Sequence, residues 1–356
     1  MAGLSPTGTR HLVSPEFLEA LERFPAVELD EELLPLIRAA LKDNPAFAPP
    51  IMTAEQAAVD RVERFAPGLN GGPDVRMLVY TPGASSSQRR PAYIYVHGGG
   101  YVLGSPEMMD IPSRSIAANH GCIVVSVDYR LAPETTSPGA VEDCYAALAW
   151  LHQHADELAV DLARVAIGGE SAGAGHAAAL AIYARNRGEY PICMQILDSP
   201  MLDDRTGSTA DPHPYCGEFA WTASQNRFGW RALLGREPGG PDVPAEAVPA
   251  RVADLSGLPP TFIIVGSIDL FLEEDMEYAR RLIRAGVPTE LHVVPGGFHG
   301  YGLAGPESEL VRTTSQLITK ALRRAFSSRS AADRMQLRRA LTGGMWSGRA
   351  EPPGDR

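Results

Sequence analysis

The sequence predicts an α/β fold: a mostly parallel, twisted eight-stranded sheet with helices on both faces and a helical cap. Three observations predict it. Short, nearly continuous apolar runs alternate with helical segments along most of the chain, and strands that are apolar throughout need cover on both faces, as in a parallel sheet. One strand segment stands ahead of that alternation, which gives the sheet an antiparallel start. Between Asp203 and Ser256 the alternation breaks, and Pro, Gly and aromatic clusters take its place.

In chain order, residues 1–15 read as a loose arm. Apolar residues at helical spacing follow in Glu16–Phe24 (Phe17, Leu18, Leu21) and in Glu31–Leu41 (Leu33, Leu34, Ile37, Leu41). Both precede any strand signal, so 1–70 is expected to be an arm and a helical cap segment. The first strand is expected at Val75–Tyr80, followed by a soft loop, Pro82–Gln88. Further strands are expected at Tyr93–Val96, Ile123–Asp128, Arg164–Ile167, Met194–Asp198, Thr261–Val265 and Glu290–Val294. The helices between them include Ile111–Asn119, Val141–His154, Ala172–Arg187 and Glu274–Ala285. These define a core of 71–202 and 257–326. The stretch 203–256 is too long for a connection and reads as an inserted lid, with aromatics at Tyr215, Phe219–Trp221 and Phe228–Trp230. The tail, 327–356, is expected to begin helical and end disordered.

Bulk properties narrow the function. With 44% hydrophobic and 21% charged residues, the chain has the composition of a globular enzyme with a sizeable core. A net charge of −11 argues against a nucleic-acid groove, which needs clustered Lys and Arg. The four cysteines, Cys122, Cys144, Cys193 and Cys216, show neither a CxxC pair nor a framework spacing and are expected to be reduced. No basic flank precedes an apolar run at the N-terminus, and no stretch has the length of a membrane span, so a cytoplasmic location is expected. His152 and His154, two apart on a helix, point to different sides and cannot chelate one metal. Asp203-Asp204-Arg205 reads as a solvated lid entry.

Gly169-Glu170-Ser171-Ala172-Gly173 follows a strand and opens an Ala-rich helix. A GxSxG run in that setting holds its Ser on a sharp turn, with the hydroxyl exposed and a helix N-terminus aimed at developing negative charge. His97-Gly98-Gly99-Gly100 follows another strand. Consecutive glycines let amides approach a ligand oxygen, so Gly99 and Gly100, with Ala172, are the expected oxyanion donors. His97 is expected to orient that loop. A nucleophilic Ser needs a base and the base a carboxylate, and in α/β-hydrolases the chain order is Ser, acid, His. Downstream of Ser171, His176 sits too close on the following helix, His213 lies in the lid and His292 inside a strand. His299 follows the last strand in a glycine-flanked loop and is the expected base. The loop after Thr261–Val265 offers Asp269 as the acid. Glu273, Glu274 and Asp275 read instead as the first turn of the next helix, where negative charge is favoured.

From Ala92 to about Gly305 the chain resembles the hormone-sensitive-lipase family of esterases, in its bacterial acetyl-hydrolase-like branch. The resemblance rests on His97–Tyr101, Asp128–Glu134, Gly169–Gly173, Asp269-Leu270-Phe271, Ala285–Pro288, Glu290–His292 and His299-Gly300. It implies an N-terminal and a second cap segment, short-acyl ester substrates and no cofactor. It further implies that Arg130 and Glu134 brace the core near the oxyanion loop. Three places differ from the family pattern: Ala174-Gly175-His176, Thr135–Pro138, and Ser267, where Glu is common. The expected activity is hydrolysis of a small-molecule ester through an acyl-enzyme, with no metal and with a homodimer as a compatible assembly. The alternatives are a transacylase or amidase using the same triad, and a non-catalytic ligand-binding relative.

Overall fold

The computed structural model describes residues 8–22, 28–43, 52–83, 88–208 and 212–327. The end of the Glu16–Phe24 segment, the middle of the Pro82–Gln88 loop and the tail beyond residue 327 lie outside these residues.

One eight-stranded sheet organises the chain, in the order β1-β2-β4-β3-β5-β6-β7-β8. Its strands are β1 (Val59–Ala66), β2 (Val75–Pro82), β3 (Arg90–Val96), β4 (Ile123–Val127), β5 (Val160–Glu170), β6 (Met194–Asp198), β7 (Thr261–Gly266) and β8 (Thr289–Val294). β1 and β2 pair antiparallel, as do β2 and β4, and the remaining neighbours are parallel. The central strands are buried on both faces: every residue of β4 and β7 is out of solvent.

β1 corrects the expectation that 1–70 is arm and cap alone. Its sequence, Val-Asp-Arg-Val-Glu-Arg-Phe-Ala, occupies the sheet edge with both Val62 and Phe65 exposed. A two-sided solvated edge strand has no apolar face for periodicity to report.

Two layers of helices cover the sheet. Behind one face lie α5 (Gly139–Gln153), α6 (Ala172–Arg187) and α8 (Leu272–Arg284), whose alanines and leucines interlock with Ile94, Val125 and Ile167. Against the other lie α4 (Asp110–His120), tied to the one-turn α3 (Ala54–Ala57) by a bond from Gln56 Nε2 to Ser115 Oγ (2.9 Å), and the nineteen-residue α9 (Glu309–Ser327), the long helices packed on Tyr93, Ile196 and Phe262. The residues before α1 (Leu18–Leu21) are docked rather than loose: Val13 and Phe17 are buried in that second layer, and the Ser14 amide donates to Gly296 O. Apolar side chains inside a polar-looking stretch anchor it.

A third core lies over the carboxyl ends of the strands. There Leu34 of α2 (Leu34–Asp43) meets Tyr101, Val102 and Met201 from the loops after β3 and β6, and Trp221, Phe228 and Trp230 from the 203–256 stretch. The described residues of that stretch centre on α7 (Ala223–Leu234), which begins with a Thr222–Gln225 capping box and ends on Gly235 in the left-handed conformation. Asp203 pairs with Arg205, but Asp204 is not solvated. It is fully buried, accepts from Arg251 Nε (2.6 Å) and Nη2 (2.9 Å), and takes the Gly239 amide. Its partner lies 47 residues away, which no local pattern could reveal.

Candidate active site

The sheet order places β3 beside β5, so the HGGG loop after β3 meets the Ser171 turn after β5. Ser171 caps α6 with φ 54° and ψ −125°, a conformation that non-glycine residues rarely adopt and that surrounding structure must impose. The turn is held from both sides. The Ser171 amide donates to Asp198 O (2.8 Å), and its carbonyl accepts from Gly175 N (3.0 Å) and Met201 N (3.1 Å). The flanking glycines are required by contact: a Cβ on Gly173 would lie 2.2 Å from Val96 O and 2.3 Å from His97 O. The elbow is therefore pressed against the end of β3.

Ser171 Oγ lies 2.8 Å from His299 Nε2, and His299 Nδ1 lies 2.9 Å from Asp269 Oδ2. The loops that bring the last two together are joined backbone to backbone: Ile268 N donates to Gly297 O and Ser267 N to Val294 O. The Ser267 hydroxyl adds a bond from Gly296 N (2.8 Å), a tie for which the sequence offered no signal. Asp269 is fully buried, and its Oδ1 accepts from Phe271 N (3.0 Å), which leaves Oδ2 aimed at the imidazole. With Nδ1–H donating to that carboxylate, Nε2 faces Ser171 with its lone pair. Burial by itself lowers the His299 pKa, but the Asp269 charge and hydrogen bond, with Asp198 and Glu170 behind them, outweigh it. The net shift is upward. Glu274 and Asp275 stand in the first turn of α8, buried and away from the imidazole's hydrogen bonds.

Gly99 and Gly100 have φ of 127° and 59°. Among the described residues their amides find no acceptor within the chain. Ala172 is the first residue of α6, where an amide has no partner in its own helix. Gly98 rests on the elbow, its would-be Cβ 3.1 Å from Glu170 O and 3.4 Å from Ser171 Cβ. His97 is buried and stacked on Tyr129 (centroids 4.2 Å apart), with Nδ1 bonded to Gly98 O at 2.8 Å. Burial lowers its pKa to about 4, so it stays neutral and fixes the loop's shape. His176, the departure from the family pattern on α6, is buried between Tyr101 and Tyr129 with its pKa lowered to about 3, again by burial.

One feature of the site escaped the sequence reading, and another was read only among the lid aromatics. Asp198, at the end of β6, is the register partner of Glu170. Burial first, and then the Glu170 charge, push its carboxyl up to about 7. Burial also raises Glu170, against the opposing pull of His299. An acid ending an apolar strand beside the elbow was a visible signal. The second is Trp221, whose ring lies over the His97–Gly100 loop: a Cβ on Gly100 would be 2.1 Å from its Cη2, and its ring centroid is 6.3 Å from that of His299. The remaining lid aromatics divide, with Trp230 fully buried edge-on against Tyr101 and Tyr215 exposed. Around the expected bracing loop, Arg130 clasps Asp143 through Nε and Nη2, and Glu134 pairs with Arg38.

Comparison with known proteins agrees with this fold. Residues 93–303 match the family described as alpha/beta hydrolase fold. The chain is 34% identical to the carboxylesterase NlhH of Mycobacterium tuberculosis over 83% of this chain and 91% of that protein. It is 32% identical to the esterase LipI of the same organism over 82% and 89%. Among solved structures, a bacterial heroin esterase superposes with a TM-score of 0.83 at 37% identity, covering 89% of this chain and 99% of that one. The esterase LipW of Mycobacterium marinum superposes with a TM-score of 0.75 at 33% identity, covering 87% and 98%. The chain belongs to the α/β-hydrolase fold family, among its hormone-sensitive-lipase-like esterases.

Proposed function

We propose that this serine carboxylesterase hydrolyses small, short-acyl esters with Ser171 as nucleophile, His299 as base and Asp269 as its orienting acid. The observation that carries the reading is the unbroken hydrogen-bonded line from Ser171 Oγ through His299 to a buried Asp269, at a strained turn against the glycine loop, whose Gly99 and Gly100 amides find no acceptor among the described residues. His299 Nε2 takes the Ser171 proton as Oγ attacks the ester carbonyl. The oxyanion that forms is received by the amides of Gly99, Gly100 and Ala172. His299 then hands the proton to the departing alcohol, and a water deprotonated by the same nitrogen releases the acid and restores Ser171.

Trp221 lies above the oxyanion loop and beside His299, which supports a short acyl pocket. In a series of p-nitrophenyl esters, kcat/KM is expected to peak at acetate or butyrate; a peak at decanoate or longer would overturn this part of the reading. With methanol added, the free acid should remain the main product. Transfer to the alcohol as the main route would make the chain a transacylase instead. The buried thiols of Cys122 and Cys144 support a reducing, cytoplasmic setting. Among the described residues no helix is long and apolar enough to cross a membrane. A homodimer acting on a small molecule, without nucleic acid, completes the proposal.

The electrostatics fix the acid limb of the pH profile. The base must be neutral to accept the proton, and its pKa lies above the ordinary histidine value of 6.5, so kcat/KM falls with acidification through a midpoint above that value. Replacing Asp198 by Asn removes a carboxyl that, pushed up to about 7, carries part of a negative charge near neutrality and to that extent favours the imidazolium. The midpoint then moves down and activity persists to lower pH. An unchanged or raised midpoint in that variant would contradict this assignment of the shift.

A further inference from the structure

We propose that Arg38 is a positioning residue for the oxyanion loop, transmitting the docked state of α2 to the direction of the Gly99 and Gly100 amides. The inference rests on the reading of those amides as oxyanion donors. Arg38 bridges two loops that leave neighbouring strands. Its Nε donates to Val102 O (2.8 Å) and its Nη2 to Ala132 O (2.8 Å). Nη1 and Nη2 also take the two oxygens of Glu134, at 2.7 and 3.1 Å. One planar guanidinium thus meets three acceptor groups, a pattern that suits the fixed fork of arginine and that a lysine could satisfy only in part.

The position of Val102 makes this contact relevant to chemistry. Val102 and Leu103 both donate their amides to Gly99 O, at 3.1 and 2.8 Å, so residues 99–103 form one tight turn. The neighbouring loop reaches the same turn where Ala132 N donates to Tyr101 O (3.0 Å). Arg38 locks the outer side of that pair. Among the described residues it is the donor to Val102 O and to Ala132 O, and no other is found for either. The helix behind it is placed by apolar packing, with Leu34 buried beside Tyr101, Val102 and Ala132. Packing holds the helix near the loop, and the guanidinium sets the orientation of the turn. The Gly99 and Gly100 amides belong to that turn, and displacing a reacting group by about 1 Å is enough to cost about 10²-fold in rate.

The test compares Arg38→Ala and Arg38→Lys with the wild-type protein on p-nitrophenyl acetate, together with amide hydrogen exchange of the full chain. In Arg38→Ala, kcat is expected to fall about 10- to 100-fold while KM changes by less than about threefold. Millimolar ethylguanidinium restores part of kcat in that variant, and Arg38→Lys is intermediate. Exchange in the peptide spanning residues 97–104 quickens, with β5 and β6 unchanged. The proposal is overturned if kcat stays within about twofold of wild type with protection of 97–104 intact. It is equally overturned if kcat falls only in step with the folded fraction and ethylguanidinium does not rescue. Should the wild-type protein show no turnover that depends on Ser171, the catalytic reading fails by itself. Exchange then still decides the case for Arg38, with unchanged protection of 97–104 overturning it.

Discussion

Ser171→Ala is expected to lower kcat on p-nitrophenyl acetate by at least about 10³-fold, and toward about 10⁶-fold if its loss resembles other triad deletions. The substitution removes Oγ and nothing else. The Cβ that packs the elbow against Gly98 remains, as do the three backbone bonds that hold the turn. The positive φ at this position is strained equally for Ser and Ala, so the variant should melt within a few degrees of wild type. Activity that survives in folded, contaminant-free Ser171→Ala would place the nucleophile elsewhere. A fluorophosphonate provides an independent readout, since the adduct should be found on the peptide carrying Ser171 and be absent from the variant.

Asp269→Asn is expected to be the next largest loss, about 10³- to 10⁴-fold in kcat with KM little changed, on the scale of the equivalent change in other triads. Asn has the shape of Asp and can still accept from Phe271 N. What changes is the group facing His299 Nδ1. An amide N–H there favours the tautomer protonated on Nε2, which cannot take the Ser171 proton. Asp198 cannot substitute, because its carboxylate acts on His299 through charge and makes no hydrogen bond to the imidazole. Asp198→Asn should therefore shift the acid limb and leave the plateau kcat within about threefold of wild type. A loss in Asp198→Asn as large as that in Asp269→Asn would exchange the roles of the two acids.

The elbow and the glycine loop were legible because their chemistry is local. A strained turn between a strand and a helix needs small residues at fixed offsets, and Gly169–Gly173 states them in five positions. His299 and Asp269 were legible at one remove, since each follows an apolar strand in a loop and few other residues of the right type occupy such places. β1 was hidden because its exposed edge alternates without an apolar side. The buried Asp204 was misread as solvated for a different reason: an acidic pair beside an arginine looks the same whether its partner is water or Arg251.

By itself, then, the amino-acid order determined the fold class, the turn that presents Ser171 and the loops from which its partners come. These depend on backbone conformations and apolar runs that each segment carries within itself. Only the tertiary structure decided which distant groups act on them. Asp198 sits behind His299, Trp221 lies above Gly100, and Arg38 clasps the loop that starts at Gly99. Each of these contacts joins residues from separate elements, and such pairings exist only once the sheet order and the packing of its caps have brought them within a few ångströms.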